Sequence, residues 1–211
     1  MSVPSKDVKD FFAMLNKESI RYVLIKNLAN ELPDNLPEGK DIDILVNIDD
    51  KRRFNGVMSK GGYKRVAHPW RKDELLYQLE PFEMFIKNKM YVDACFQLCC
   101  RSITYTQWLP LDQIIQASVW NNRVYDEKNG WYILAEDDMF VYLLSRCIFD
   151  KRKFTQPYNE KLSELYKNID REKIMYKLKS VFFNFSEELL KKIAQQKFDE
   201  IVESYRRFDN Y

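Results

Sequence analysis

Two aspartates one residue apart are the side chains of this chain best placed to do chemistry. They lie in Gly39-Lys40-Asp41-Ile42-Asp43-Ile44-Leu45-Val46, a run whose β-branched ending reads as a buried strand. Along a strand successive side chains alternate faces, so Asp41 and Asp43 project from the same side. The strand rise places them roughly 6.5–7 Å apart along the backbone. Carboxylates that close raise one another's pKa unless a cation lies between them, and a hard divalent ion such as Mg²⁺ meets that need with oxygen ligands. The pair therefore predicts a metal site.

The neighbouring segments are the elements that must position such a pair. Before it runs Arg21-Tyr22-Val23-Leu24-Ile25, an apolar strand candidate that ends at Lys26-Asn27 and gives way to a proline-containing connection. After it comes Lys89-Met90-Tyr91-Val92-Asp93-Ala94-Cys95-Phe96, a strand carrying a single aspartate among apolar neighbours.

Strand, loop, Asp-x-Asp strand, short helix, further strands and then one aspartate on a late strand resembles the nucleotidyltransferase fold of the DNA polymerase β superfamily. Within it, the chain is most similar to variant bacterial nucleotidyltransferase-like proteins found beside surface-polysaccharide genes. These show a leucine-proline pair in the loop and a glycine just ahead of the acidic motif, here Leu32-Pro33 and Gly39. The resemblance implies that Asp41, Asp43 and Asp93 are the catalytic, metal-binding carboxylates. It implies Mg²⁺ or Mn²⁺ as cofactor and a nucleoside triphosphate, ATP among the candidates, as substrate. By the same resemblance Lys26, Asn27, Lys40 and Lys151 are phosphate-binding positions. One departure is plain: Lys26-Asn27 stands where a Gly-Ser pair usually precedes the carboxylates. Glycine lets backbone N–H groups approach a phosphate closely, and a lysine at that place can substitute a point charge.

Composition bounds the rest. With 211 residues, 45% of them hydrophobic and only five glycines, the chain can bury a core and is not a disordered polymer. A formal net charge of +2 lacks the excess that wrapping a long phosphate backbone requires, which argues against a nucleic-acid partner. No apolar run approaches the length of a membrane span, and the N-terminus lacks a basic segment followed by an apolar signal core. A cytoplasmic location is the expectation. Cys95, Cys99, Cys100 and Cys147 lie in or beside apolar elements without paired metal-ligand spacing and read as reduced structural thiols.

Along the chain, Ser5 is the expected cap of a helix with Val8, Phe11, Phe12 and Leu15 on one face. A short helix around Phe54, Val57 and Met58 stops at Gly61-Gly62. Strands are expected over Tyr63–Ala67, Leu75–Leu79, Met84–Lys87 and Tyr91–Leu98. A helix at Leu111, Ile114 and Ile115 leads into a strand over Val119–Tyr125, then Lys128-Asn129-Gly130 and a strand over Trp131–Leu134. Asn-Gly between apolar runs is a hairpin signal. Glu136-Asp137-Asp138 opens a helix running through Phe149, and three further helices follow, the last a long one begun near Ser186. His68, the single histidine, reads as a loop residue ahead of a proline, with exposed Arg71 and Lys72 nearby. For Lys151, in Asp150-Lys151-Arg152-Lys153, a helix C-terminal cation is the plain reading beside the phosphate contact that the resemblance implies.

The expected class is α+β: a mixed-sheet nucleotidyltransferase core over residues 1–118 with covering helices, then a β-hairpin and helical subdomain over 119–211. The expected activity is metal-dependent nucleotidyl transfer to a small hydroxyl- or phosphate-bearing acceptor, in line with polysaccharide biosynthesis. Asp93 would serve as base on the acceptor hydroxyl. The alternative is a catalytically silent binding or regulatory module that has kept the fold, favoured by the missing Gly-Ser pair.

Overall fold

The computed structural model describes residues 2–28, 30–102 and 104–210. In chain order the elements are α1 (Ser5–Lys17), β1 (Tyr22–Leu24), β2 (Asp41–Val46), α2 (Lys51–Lys60), β3 (Lys64–Val66), β4 (Glu74–Leu75), β5 (Glu83–Lys87) and β6 (Met90–Cys95). There follow β7 (Cys99–Arg101), β8 (Gln107–Pro110), α3 (Gln113–Asn122), β9 (Val124–Asp126), β10 (Trp131–Ile133) and α4 (Glu136–Ser145). The last helices are α5 (Gln156–Asn168), α6 (Arg171–Phe182), α7 (Phe185–Ala194) and α8 (Phe198–Arg207). The chain forms two compact units that interleave in sequence: Met1–Leu98 with Arg123–Leu134, and Cys99–Asn122 with Ala135–Tyr211. The expected division after residue 118 falls inside α3.

The first unit is built on a seven-stranded mixed sheet of order β3-β5-β6-β2-β1-β10-β9. At its centre β2 and β6 run parallel, with β1 antiparallel on the far side of β2. Side-chain alternation gives the sheet one apolar face. Tyr22 and Leu24 of β1, Ile42, Ile44 and Val46 of β2, and Met90, Val92 and Ala94 of β6 join one core with Val8, Phe11, Phe12 and Leu15 of α1 and Phe54, Val57 and Met58 of α2. Rings interlock there, Phe12 lying 4.6 Å from Trp131 and 5.6 Å from Tyr22 between centroids, and Phe54 meeting Phe85 edge-on at 5.6 Å. Asp41, Asp43 and Asp93 occupy the alternate positions of the same strands, so packing this core fixes the face on which they emerge.

Several local expectations needed revision. Ser5 begins the helix rather than capping it; Pro4 is the N-cap, and its carbonyl accepts from Asp7 N at 2.9 Å. The strand expected over Leu75–Leu79 is confined to Glu74–Leu75, because Tyr77 and Gln78 take left-handed conformations (φ 52° and 58°) that end extended pairing. α3 continues through Val119 to Asn122, and the following strand begins only at Val124. β9 and β10 form the expected hairpin but through a four-residue loop, in which Asp126 Oδ1 accepts from Lys128 N and Asn129 N and only Gly130 (φ 82°) is left-handed. The hairpin joins the sheet edge through β10, parallel to β1. A two-residue turn at Asn88-Lys89 (φ 49° and 64°) joins β5 to β6, the geometry that matches strand twist.

In the second unit β7 and β8 pair antiparallel and the helices α3–α8 pack together. α4 passes into one wide helical turn at Arg146–Asp150. The helix expected to run on from Ser186 is two, α7 and α8, divided where Gln196 adopts φ 56°. The buried charge of this unit is paired: Lys177 Nζ lies 2.6 Å from Asp138 Oδ1 and 3.0 Å from Asp137 Oδ2. All four cysteines are buried and none is in a disulfide. No helix among the described residues is long and apolar enough to cross a membrane.

Candidate functional site

Asp43 and Asp93 are direct partners in the parallel β2–β6 ladder, and Asp41 sits two residues back on β2. One oxygen from each of the three carboxylates lies within 4.8 Å of the others. This proximity is a consequence of register: a one-residue slip of β6 against β2 would turn Asp93 to the apolar face. Asp43 is 8% exposed, while Asp41 and Asp93 are half-buried. Burial, followed by the charges of Asp43 and then Asp93, pushes the Asp41 carboxyl above its ordinary range against the lowering influence of Lys26.

Two side chains already meet these carboxylates. The backbone extends β1 by one further bond, Ile25 N to Asp43 O at 3.1 Å, and Lys26 follows directly, its Nζ 2.5 Å from Asp43 Oδ2. That oxygen is buried, with the Lys26 ammonium as its counter-charge. On the other side His68 Nε2 lies 3.2 Å from Asp93 Oδ1. Three carboxylates on adjacent strands, with one oxygen of each within 4.8 Å of the others, fit a hard divalent ion.

The other positions named from sequence have local duties. Lys40 pairs with Glu31. The Asn27 side chain accepts from Leu32 N at 3.3 Å and so braces the loop that carries the cis Leu32-Pro33 bond. Gly39 (φ 82°) takes the left-handed turn ahead of β2, its N–H donating to Lys89 O at 3.2 Å. Lys151 belongs to the second unit, where its Nζ lies 5.3 Å from the centre of the Tyr158 ring. His68, read from sequence as a loop residue, joins the site beside Asp93. It does lie in a loop, but it is 6% exposed rather than solvated. The signal was available in Asp93 itself, a lone carboxylate on an apolar strand that needs a donor.

A central β1-β2-β6 sheet carrying these carboxylates, helices on its apolar face and a helical region after it make this a nucleotidyltransferase fold of α+β class. No protein-family model matches the chain, and no curated protein matches it. Among solved structures it is similar to the antibiotic-resistance factor ANT(2'')-Ia, a nucleotidyltransferase, with a TM-score of 0.50 over 90% of this chain and 96% of that one. At 8% identity the likeness is one of fold.

Proposed function

We propose that this protein transfers a nucleotidyl group from a nucleoside triphosphate to a small hydroxyl- or phosphate-bearing acceptor, with Mg²⁺ or Mn²⁺ as cofactor. The observation that carries the reading is the approach of Asp41, Asp43 and Asp93 within 4.8 Å on adjacent parallel strands. The three carboxylates would hold the metal. When bound, a divalent ion neutralises phosphate charge and lowers the pKa of an adjacent hydroxyl. Asp93, whose Oδ1 lies 3.2 Å from His68 Nε2, is the residue that takes the acceptor's proton. The acceptor oxygen then bonds to the α-phosphorus as the bond to the bridging oxygen breaks and pyrophosphate departs. Lys26 supplies a point charge to the phosphates where glycine backbone would otherwise cradle them. A sugar-related acceptor and a place in surface-polysaccharide synthesis rest on the sequence resemblance, as does Lys151 as a phosphate contact.

A second reading, a silent module of the same fold, is favoured by one observation: Lys26 already pairs with Asp43 at 2.5 Å. A fixed ammonium can replace the metal as counter-charge. Calorimetric titration of the intact chain with each of the four nucleoside triphosphates, with Mn²⁺ and with chelator, separates the two. Binding that strengthens with metal supports the transferase. Nucleotide binding indifferent to metal, or none, overturns it.

A further inference from the structure

His68 stands outside the three carboxylates yet is bonded on both ring nitrogens. Trp70 N donates to Nδ1 at 3.1 Å, and a nitrogen that accepts an N–H carries no proton. In the neutral ring the proton is therefore on Nε2, the nitrogen 3.2 Å from Asp93 Oδ1. The ring is held between Trp70 and Phe82, with centroids at 5.0 and 5.1 Å, the second contact stacked. Its position is set by packing and its tautomer by a backbone donor. A rigid N–H thus points at one oxygen of the late-strand carboxylate.

We infer that His68 is a positioning residue for the metal site: it holds Asp93 in the rotamer that keeps a carboxylate oxygen within 4.8 Å of those of Asp41 and Asp43. This rests on the reading of the three aspartates as a metal site. An unbraced Asp93 side chain can turn away from two neighbours of its own charge, and the His68 N–H opposes that rotation. Partners of this kind orient ligands, and their loss typically weakens metal binding about 10–100-fold.

The test uses the intact chain with Mn²⁺ alone, its affinity read by electron paramagnetic resonance. His68→Phe keeps a ring between Trp70 and Phe82 but removes the N–H; His68→Gln returns an amide N–H at about the reach of Nε2. The inference expects His68→Phe to bind Mn²⁺ about 10–100-fold more weakly and His68→Gln to recover most of that loss. Equal affinity in wild type and His68→Phe overturns it and leaves His68 a packing residue. Wild-type protein that binds no Mn²⁺ overturns the metal reading itself, and the inference with it. Because the chain has one histidine, ¹⁵N spectra of histidine-labelled wild type report its tautomer without assignment. A pyrrole-like Nε2 is expected, and a proton on Nδ1 overturns the geometry even if the variants fail to fold.

Discussion

Replacing Asp41 by asparagine should stabilise the metal-free protein. At the 4.8 Å limit of the cluster and an effective dielectric constant of about 20, each pair of like charges repels by about 3.5 kcal/mol. Asp41 faces two such charges, Asp43 and Asp93, and one compensating cation, Lys26. The net is about one repulsion, and screening at a half-buried side chain reduces it to roughly 1–3 kcal/mol in favour of Asp41→Asn. Thermal unfolding in chelator should show this as a rise of about 2–4 °C per kcal/mol. Mn²⁺ should reverse the advantage. At 100 times its dissociation constant a ligand stabilises the folded state by about 2.7 kcal/mol, which the wild type gains and a site short of one carboxylate largely forgoes. An asparagine variant less stable than wild type in chelator refutes the reasoning, since Asp41 would then be held by favourable contacts rather than against repulsion.

Other substitutions probe neighbouring parts of the structure. Lys26→Met should destabilise the metal-free protein by about 1–3 kcal/mol, less than for a fully buried pair because Lys26 keeps some solvent, and Mn²⁺ should recover the loss; no recovery in thermal melts would show that metal and lysine do not share the carboxylates. Asp50 accepts from Arg21 N and Nε at 3.0 and 2.8 Å and from Arg53 at 2.8 Å. Burial works against its charge, but these bonds prevail and hold its carboxyl below the ordinary range. The stability it contributes is present above the unfolded-state value and lost as pH falls through the lower folded value, so Asp50→Asn should cost about 1.5–3 kcal/mol at pH 7 and the difference should shrink in denaturant titrations at acid pH. Lys177→Met leaves Asp138, wholly buried, without the Lys177 ammonium; a loss of about 3–5 kcal/mol is expected in denaturant unfolding, and a loss under about 1 kcal/mol would refute the pair as a contributor to stability.

The site was legible where side-chain alternation alone determined it. Asp41 and Asp43 had to share a face once β2 was a strand, and Ile42, Ile44 and Val46 had to enter the core. Asp93 came from resemblance, because its alignment with Asp43 depends on the parallel pairing of two strands some fifty residues apart, which local sequence does not encode. His68 was legible as a loop residue but not as a neighbour of Asp93, since that partner lies 25 residues away. The overlong strand at Leu75–Leu79 and the undivided last helix were broken at left-handed residues that are not glycine, Tyr77, Gln78 and Gln196. Those conformations are imposed by their surroundings, and no residue type announces them.

The sheet's dependence on a late segment bears on how the chain emerges during synthesis. β10 covers one side of β1, yet it belongs to Arg123–Leu134, reached only after the chain has left the first unit and passed through Cys99–Asn122. Until about residue 134 is available, β1 offers a bare row of N–H and C=O groups, the kind of edge that recruits strands from other molecules. At translation rates of about 5–20 residues per second, the interval between β6 and β10 lasts seconds. A protein cut after Leu98 would carry that open edge permanently and should aggregate, although it contains all three carboxylates.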